Sequence, residues 1–589
     1  MHARMRRTVK PSNLLLLLWP ALAVAQPYYN LDFETVTRGR LRGWSIGVSG
    51  FELAADSARA FSGTYSARLR NTGAADTVTG PTNRTLPPDL VRGKRVTFSA
   101  AIRTEGVETG YASLWLRVDG ADGQMISIDN ASRTRGSTDW VRGQIERSVS
   151  SSAATVYFGF FLQGKGSAWF DDMRIEIDGV PITQTAPLMG EPSSEQLEWL
   201  RTNAMPFATE RAGSGFDDLQ GLKTVVGDAR IVALGEATHG TAEFFRMKHR
   251  LTEFLANEMG FSIFSIEANM PESYRMNDYV LTGRGDPREI LRGMYFWTWQ
   301  TEEVLAMVQW MREFNAGGRG RIQFTGFDMQ TWTVAGQIVR SFVEGAEPEY
   351  VRTVDEAWAQ IRDTQSLTAT SANLARITAA AKAAESVRVH LEENAKRYLD
   401  RFTPAEVEWA VQNARVVEQT ARRPIGGSTH RDEMMATNTK WILDQNPGAK
   451  AVLWAHNYHV SRQPGSQGSY LAKWYGADYV VLGFGFHEGR YTAVTSLPGG
   501  GYGVLTSHQA TPSFPGSVEY VFHATGMPRF ILDWRKAKAE NAGAWLLTEM
   551  EFREIGSVQT DGFALRGSLT TDYDALIFFD STTASELLR

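Results

Sequence analysis

The sequence predicts an α/β protein: a mostly parallel sheet with helices on both faces plus a helical insertion, preceded by an all-β, jelly-roll-like sandwich. Three patterns carry that reading. Four short apolar runs (231–234, 261–266, 322–327 and 451–455) each end at ionisable residues: Glu236 with His239, then Glu267, Asp328 and His456. Between the first two runs, Phe245, Lys248, Leu251, Phe254, Leu255 and Glu258 fall close to one helical face, and Gly260 stops the pattern. Strand, helix, strand in that order predicts a right-handed crossover and parallel strands. Residues 28–178 instead alternate apolar and polar residues in short runs broken by Gly, Asp and Asn, the grammar of a sandwich or jelly roll.

The N-terminus reads as an export signal over residues 1–25. Arg4, Arg6, Arg7 and Lys10 form a basic region, Leu14 to Leu18 open an apolar stretch, and Ala23-Val24-Ala25 is an A-x-A cleavage site. The apolar stretch is too short to span a bilayer, so no stable membrane span is expected. The location implied is periplasmic or extracellular. Residues 26–180 form the β-domain, and the Pro-, Gly-, Gln- and Ser-rich stretch 181–194 is a linker. Residues 195–589 form the α/β domain. Within it, 275–281 and 302–314 read as helices, and the Ala-, Glu- and Arg-rich segment 344–446 reads as a helical insertion between the third and fourth strands. Further strands fall at 479–484, 530–533 and 575–579.

Composition sets limits on function. Hydrophobic content of 43% and charged content of 22% are those of a globular chain. The net charge of −5, which becomes −9 when the four basic residues of the signal leave, offers no excess to neutralise phosphates, so nucleic acid is not an expected partner. Cysteine is absent, which removes disulfides, thiol nucleophiles and lipidation at cysteine.

Ligands of open α/β sheets bind outside the carboxyl ends of the strands, so the four ionisable strand ends mark a site. Glu236 and His239 share a strand-to-helix turn, where the helix dipole favours anions and developing oxyanions. Glu267 joins them from what reads as the adjacent strand. His456 and His459, three apart, suit either two ligands of a zinc-like set completed by Glu236 or Glu267, or donors that orient a substrate carbonyl. Asp328 fits a functional role or a loop anchor. Arg431-Asp432 opens a helix, where a charged pair ordinarily caps. No Gly-x-Ser-x-Gly elbow, His-Glu-x-x-His helix or P-loop occurs. Water activated by a general base is then the plausible nucleophile, and His239 suits that role near neutral pH. Two rival readings are a glycoside hydrolase working through Glu236 and Glu267, and a non-catalytic glycan-binding surface protein.

Two resemblances sharpen these expectations. Asn30-Leu31-Asp32-Phe33-Glu34, Trp44 and Trp169-Phe170-Asp171-Asp172-Met173 resemble the jelly rolls of carbohydrate-binding modules. That likeness implies a carbohydrate partner and a structural calcium near Asp171 and Asp172; a solvated strand end is the plainer account of the two aspartates. Gly235-Glu236-Ala237-Thr238-His239-Gly240 with Glu243-Phe244-Phe245 looks like the erythromycin esterase family. So do Glu267, Asn277-Asp278-Tyr279-Val280, Gly326-Phe327-Asp328-Met329-Gln330, Arg431-Asp432 with Asn438, and Ala455-His456-Asn457-Tyr458-His459, in the expected order. This second likeness implies hydrolysis of a macrolactone or other ester without a cofactor. In it, His239 is the base, Glu236 and Glu267 orient the base or the water, and His456 and His459 contact substrate. It also places a cleft cation at Lys248. The export signal and β-domain depart from a cytoplasmic resistance enzyme, which brings an ester on a glycoconjugate into view.

Overall fold

The structure is a computed structural model that describes residues 28–588, apart from 38, 121–123, 183–187, 498–500, 539–540 and 561. The residues expected to form an export signal, and the middle of the expected linker, lie outside the described residues. Among the described residues, no helix is long and apolar enough to cross a membrane.

Residues 28–181 build an antiparallel β-domain. Its longest strand, Arg95–Gly120, pairs with Thr134–Ser148 and Ser167–Ile177 through its first half and with Ala153–Gln163 through its second, tying the strands into one assembly. The alternating side chains meet in an aromatic core in which Trp44 packs on Phe33, Phe158 and Phe160, with Phe160 stacked 4.3 Å from Phe170. Leu31 accepts the backbone N–H of Met173, so the opening and closing segments of the domain are neighbours. The paired aspartates are both engaged. Asp171 Oδ2 accepts the N–H groups of Phe61 and Ser62 at 2.7 and 3.0 Å, and Asp172 pairs with Arg142 and Arg174.

A helix at Ser194–Asn203, with a Ser193/Gln196 capping box, opens the second domain. Its sheet has nine strands: β1 (Ala204–Pro206), β2 (Ile231–Leu234), β3 (Phe261–Asn269), β4 (Gln323–Asp328), β5 (Lys450–Trp454), β6 (Tyr479–Ser496), β7 (Tyr502–Ala510), β8 (Arg529–Asp533) and β9 (Ala575–Thr582). The spatial order is β1-β8-β9-β6-β2-β5-β3-β4, with β7 as a hairpin partner of β6. The core pairings from β9 to β4 are parallel; β1, β7 and β8 join antiparallel.

The crossover helix α1 (Ala242–Met259) ends on Gly260, which at φ +75 adopts the left-handed conformation a helix terminator needs. It covers one face with α2 (Met270–Thr282) and α3 (Glu302–Ala316). Between β4 and β5 lie α4 (Thr333–Ala346), α5 (Val351–Thr364), α6 (Leu374–Tyr398), α7 (Pro404–Arg422) and α8 (His430–Asp444), which pack with the other face, so the insertion's first helix starts ahead of the expected residue 344. Ile231 and Ala233 of β2, with Ala451 and Leu453 of β5, join the insertion's core; Val232, Leu234, Val452 and Trp454 join the core of α1. Burial on both faces is why these strands read as continuous apolar runs rather than alternating ones.

One expectation needs correction. β2 and β3 are parallel but not adjacent, because β5, almost two hundred residues later in the chain, lies between them. The order β2-β5-β3-β4 therefore lines up Glu236, His456, Glu267 and Asp328 along one sheet edge.

Candidate active site

The Gly235–Gly240 turn leaves β2 in tight quarters. A Cβ on Gly235 would lie 2.2 Å from Asn457 Oδ1, and one on Gly240 would lie 2.0 Å from the Thr492 carbonyl. Both glycines answer close backbone approach. Thr238 Oγ1 accepts the Gly240 N–H at 2.9 Å and closes the turn.

Glu236 is wholly buried, and both of its oxygens are engaged. Oε1 lies 2.6 Å from His239 Nδ1, while Oε2 accepts from Lys248 Nζ at 2.6 Å and from Trp454 Nε1 at 2.7 Å. The carboxylate fixes the proton of neutral His239 on Nδ1, which leaves the Nε2 lone pair available. No group among the described residues binds Nε2, and the His239 side chain keeps 13% of its surface exposed. Burial opposes the imidazolium, but the bond to Glu236 and the charges of Glu236 and Glu267 outweigh burial and Lys248, so the His239 pKa lies above 6.5.

A base must be deprotonated to act, so with His239 as the expected base activity should be lost as pH falls through that raised pKa. The acidic limb of kcat/KM is therefore expected to sit above the ordinary histidine range. Glu236→Gln should move it to lower pH and reduce the plateau. A pH–rate profile of both proteins checks this; an unmoved limb would disconnect Glu236 from the base.

The second half of the site is assembled around Arg431. Its Nη2 donates to Glu267 Oε1 at 2.6 Å and Asp328 Oδ2 at 2.7 Å, and its Nε donates to Asp328 Oδ1 at 3.2 Å. Nη1 lies 3.1 Å from His459 Nε2. An arginine nitrogen only donates, so His459 Nε2 accepts and Nδ1–H points to Asp432 Oδ1, 2.7 Å away. Glu267 Oε2 accepts the His456 backbone N–H at 3.0 Å. Burial pushes the Glu267 carboxyl up, but the Arg431 guanidinium and that N–H more than offset it and hold it well below the usual carboxylate range.

His456 is committed elsewhere. Nε2 faces the Ile555 carbonyl at 3.1 Å and Nδ1 accepts the Tyr458 N–H at 3.3 Å. The ring is therefore neutral with its proton on Nε2. Burial, with His239 and His459 nearby, pulls its pKa down to about 3.

The expected substrate contacts thus separate. Arg431 and His459 keep 21% and 14% of their side-chain surface exposed. Lys248 does not line the cleft: it is fully buried behind Glu236, 4.4 Å over the Trp454 ring, and burial against Glu236's pull lowers its pKa to about 8. Asp328 is fully buried behind Arg431. His456 gives its only ring proton to Ile555, so it braces that segment rather than polarising a carbonyl. Arg431-Asp432 is no helix cap: α8 starts after Thr429 without a side-chain cap bond, and the pair reaches across to β3, β4 and His459. Among the described residues, no group of three His, Asp or Glu is arranged to hold a metal ion, and His456 and His459 turn to different partners. A glycosidase acid requires a free carboxyl with a raised pKa; Glu236 is enclosed by three donors and Glu267 is held low.

The asparagines of the remaining motifs pin the scaffold. Asn277 Oδ1 accepts the Phe324 N–H, Asn438 donates to the Phe327 carbonyl, and Asn457 exchanges two bonds with the Phe484 backbone. Sequence reasoning missed Trp454 and Ile555. Trp454 carried a signal, an indole N–H at the strand end, concealed inside an apolar run.

A family model described as erythromycin esterase matches residues 256–582. An erythromycin esterase type II from Escherichia coli is 24% identical over 66% of this chain and 99% of its own length. A solved structure described as a succinoglycan biosynthesis protein is 25% identical with TM-score 0.58, over 68% of this chain and 100% of that one. A mutant erythromycin esterase in an open conformation, 17% identical over 64% of this chain and 96% of that one, shares the fold with TM-score 0.52.

Proposed function

The chain belongs to the erythromycin esterase family, and on that premise we propose that it is an exported hydrolase that cleaves a carboxylic ester by general-base activation of water. The observation that carries this reading is the His239–Glu236 pair: a buried carboxylate orients the imidazole and leaves Nε2 unshared on a side chain that keeps 13% of its surface exposed. Nε2 takes a proton from water as the oxygen attacks the ester carbonyl, and returns it to the departing alkoxide. The remaining Nη1 proton of Arg431 is a charged donor available to the oxyanion, with Glu267 and Asp328 holding the guanidinium in place. The export signal supports action in the periplasm or outside the cell.

Two substrate classes have support. Erythromycin esterases among the relatives favour a macrolactone. The similarity to a protein described as acting in succinoglycan biosynthesis favours an ester carried on a polysaccharide. Purified mature protein is expected to release acid from one of these classes, read by mass spectrometry. Intact erythromycin would remove the macrolide class. No hydrolysis of macrolactones, aryl esters or acylated polysaccharides would remove ester hydrolysis altogether.

A further inference from the structure

A cleft of about 1160 Å³ opens at the seam between the β-domain and the α/β domain, away from the catalytic histidines. Ordinary small-molecule sites occupy about 300–1,000 Å³, so the space suits an oligomeric ligand. The β-domain contributes Arg40, Arg42 and Arg84, and the facing hairpin of strands Glu549–Arg553 and Phe563–Ser568 contributes Glu549 and Glu551. Three cations face two anions, and threonine, serine and asparagine side chains complete much of the wall.

The seam is built rather than incidental. Arg84 Nη2 pairs with Glu549 Oε1 at 2.7 Å, and Arg42 Nη2 donates to the Glu549 carbonyl at 2.6 Å. Yet Arg42, 2% exposed, and Glu549, 8% exposed, keep Nε and Oε2 without hydrogen-bond partners. Both atoms are closed to solvent, so a ligand in the open cleft meets the accessible arginine atoms rather than these two. Arg40 lies exposed at the rim. One loop connects the cleft with the chemistry: Thr560 and Gly562 line the seam, while Ile555 of the same connection holds His456 and the Ala237 carbonyl.

We propose that this seam is a binding site for an acidic, hydroxyl-rich oligomer, a uronate oligosaccharide by chemical class. Its carboxylates meet the arginine side and its hydroxyls the threonine, serine and asparagine groups. The site stands apart from the hydrolytic reading, because binding rather than turnover tests it.

Calorimetry of the full mature chain with trigalacturonate is the experiment, with neutral maltotriose as the comparison. Trigalacturonate is expected to bind, and maltotriose to bind about tenfold more weakly or not at all, the scale of one charge-assisted hydrogen bond. Arg40→Ser, a change at an exposed rim position, should weaken trigalacturonate about tenfold. Thr85→Trp, also exposed, should fill the cleft and abolish binding. Absence of trigalacturonate binding, equal binding of maltotriose, or unchanged affinity in both variants would overturn the site.

Discussion

His239→Ala is expected to lower turnover by about 10²–10⁴-fold, the usual contribution of a positioned general base. The fold should survive the change. Glu236 keeps Lys248 and Trp454 on Oε2, so the truncation frees one carboxylate oxygen and leaves no isolated buried charge. His239→Asn, which keeps a polar group near Oε1 but offers no base, should be equally inactive. Ester hydrolysis followed alongside circular dichroism separates catalysis from folding. Parent-like turnover in either variant would remove His239 from the reaction.

Arg431→Met should cause the largest loss of stability among the site residues, about 3–5 kcal/mol, because breaking a buried ion pair leaves its partners uncompensated. Here two carboxylates, Glu267 and Asp328, lose the same guanidinium, and both are buried. The pH dependence follows from Glu267. Its folded pKa is depressed, so its stabilisation is fully present above the ordinary carboxylate value and is lost as pH falls through the depressed one. Removing Arg431 takes away a principal cause of that depression. The stability gap between parent and variant should therefore be widest near neutrality and narrow on acidification. Urea unfolding at pH 7.5 and pH 4 measures it. A gap independent of pH would show that Arg431 acts through packing rather than charge.

Individual residues differ in how openly the sequence displayed their roles. The runs at 231–234 and 451–455 announced buried strands, since strands covered on both faces have little polar surface to show. Glu236, Glu267, Asp328 and His456 were legible as strand ends for the same reason: an ionisable residue closing an apolar run marks where the buried strand reaches the sheet edge. The pairing of Glu236 with His239 was legible too, because a spacing of three across a turn is short-range. Lys248 misled. The family likeness placed a cleft cation there, whereas α1 packs so closely on β2 and β5 that the ammonium is enclosed between Glu236 and Trp454.

Local pattern thus specified the strands, the crossover helix, the sandwich grammar and the histidine–carboxylate pair, all of which depend on residues close together in the chain. The order of strands, the embrace of Glu267 and Asp328 by Arg431, and the Ile555 brace on His456 depend on contacts separated by about a hundred residues or more. Periodicity carries no information about which strand enters between which two others. Packing settles it: β5 lies between β2 and β3, with one face buried in the core of α1 and the other in the core of the insertion.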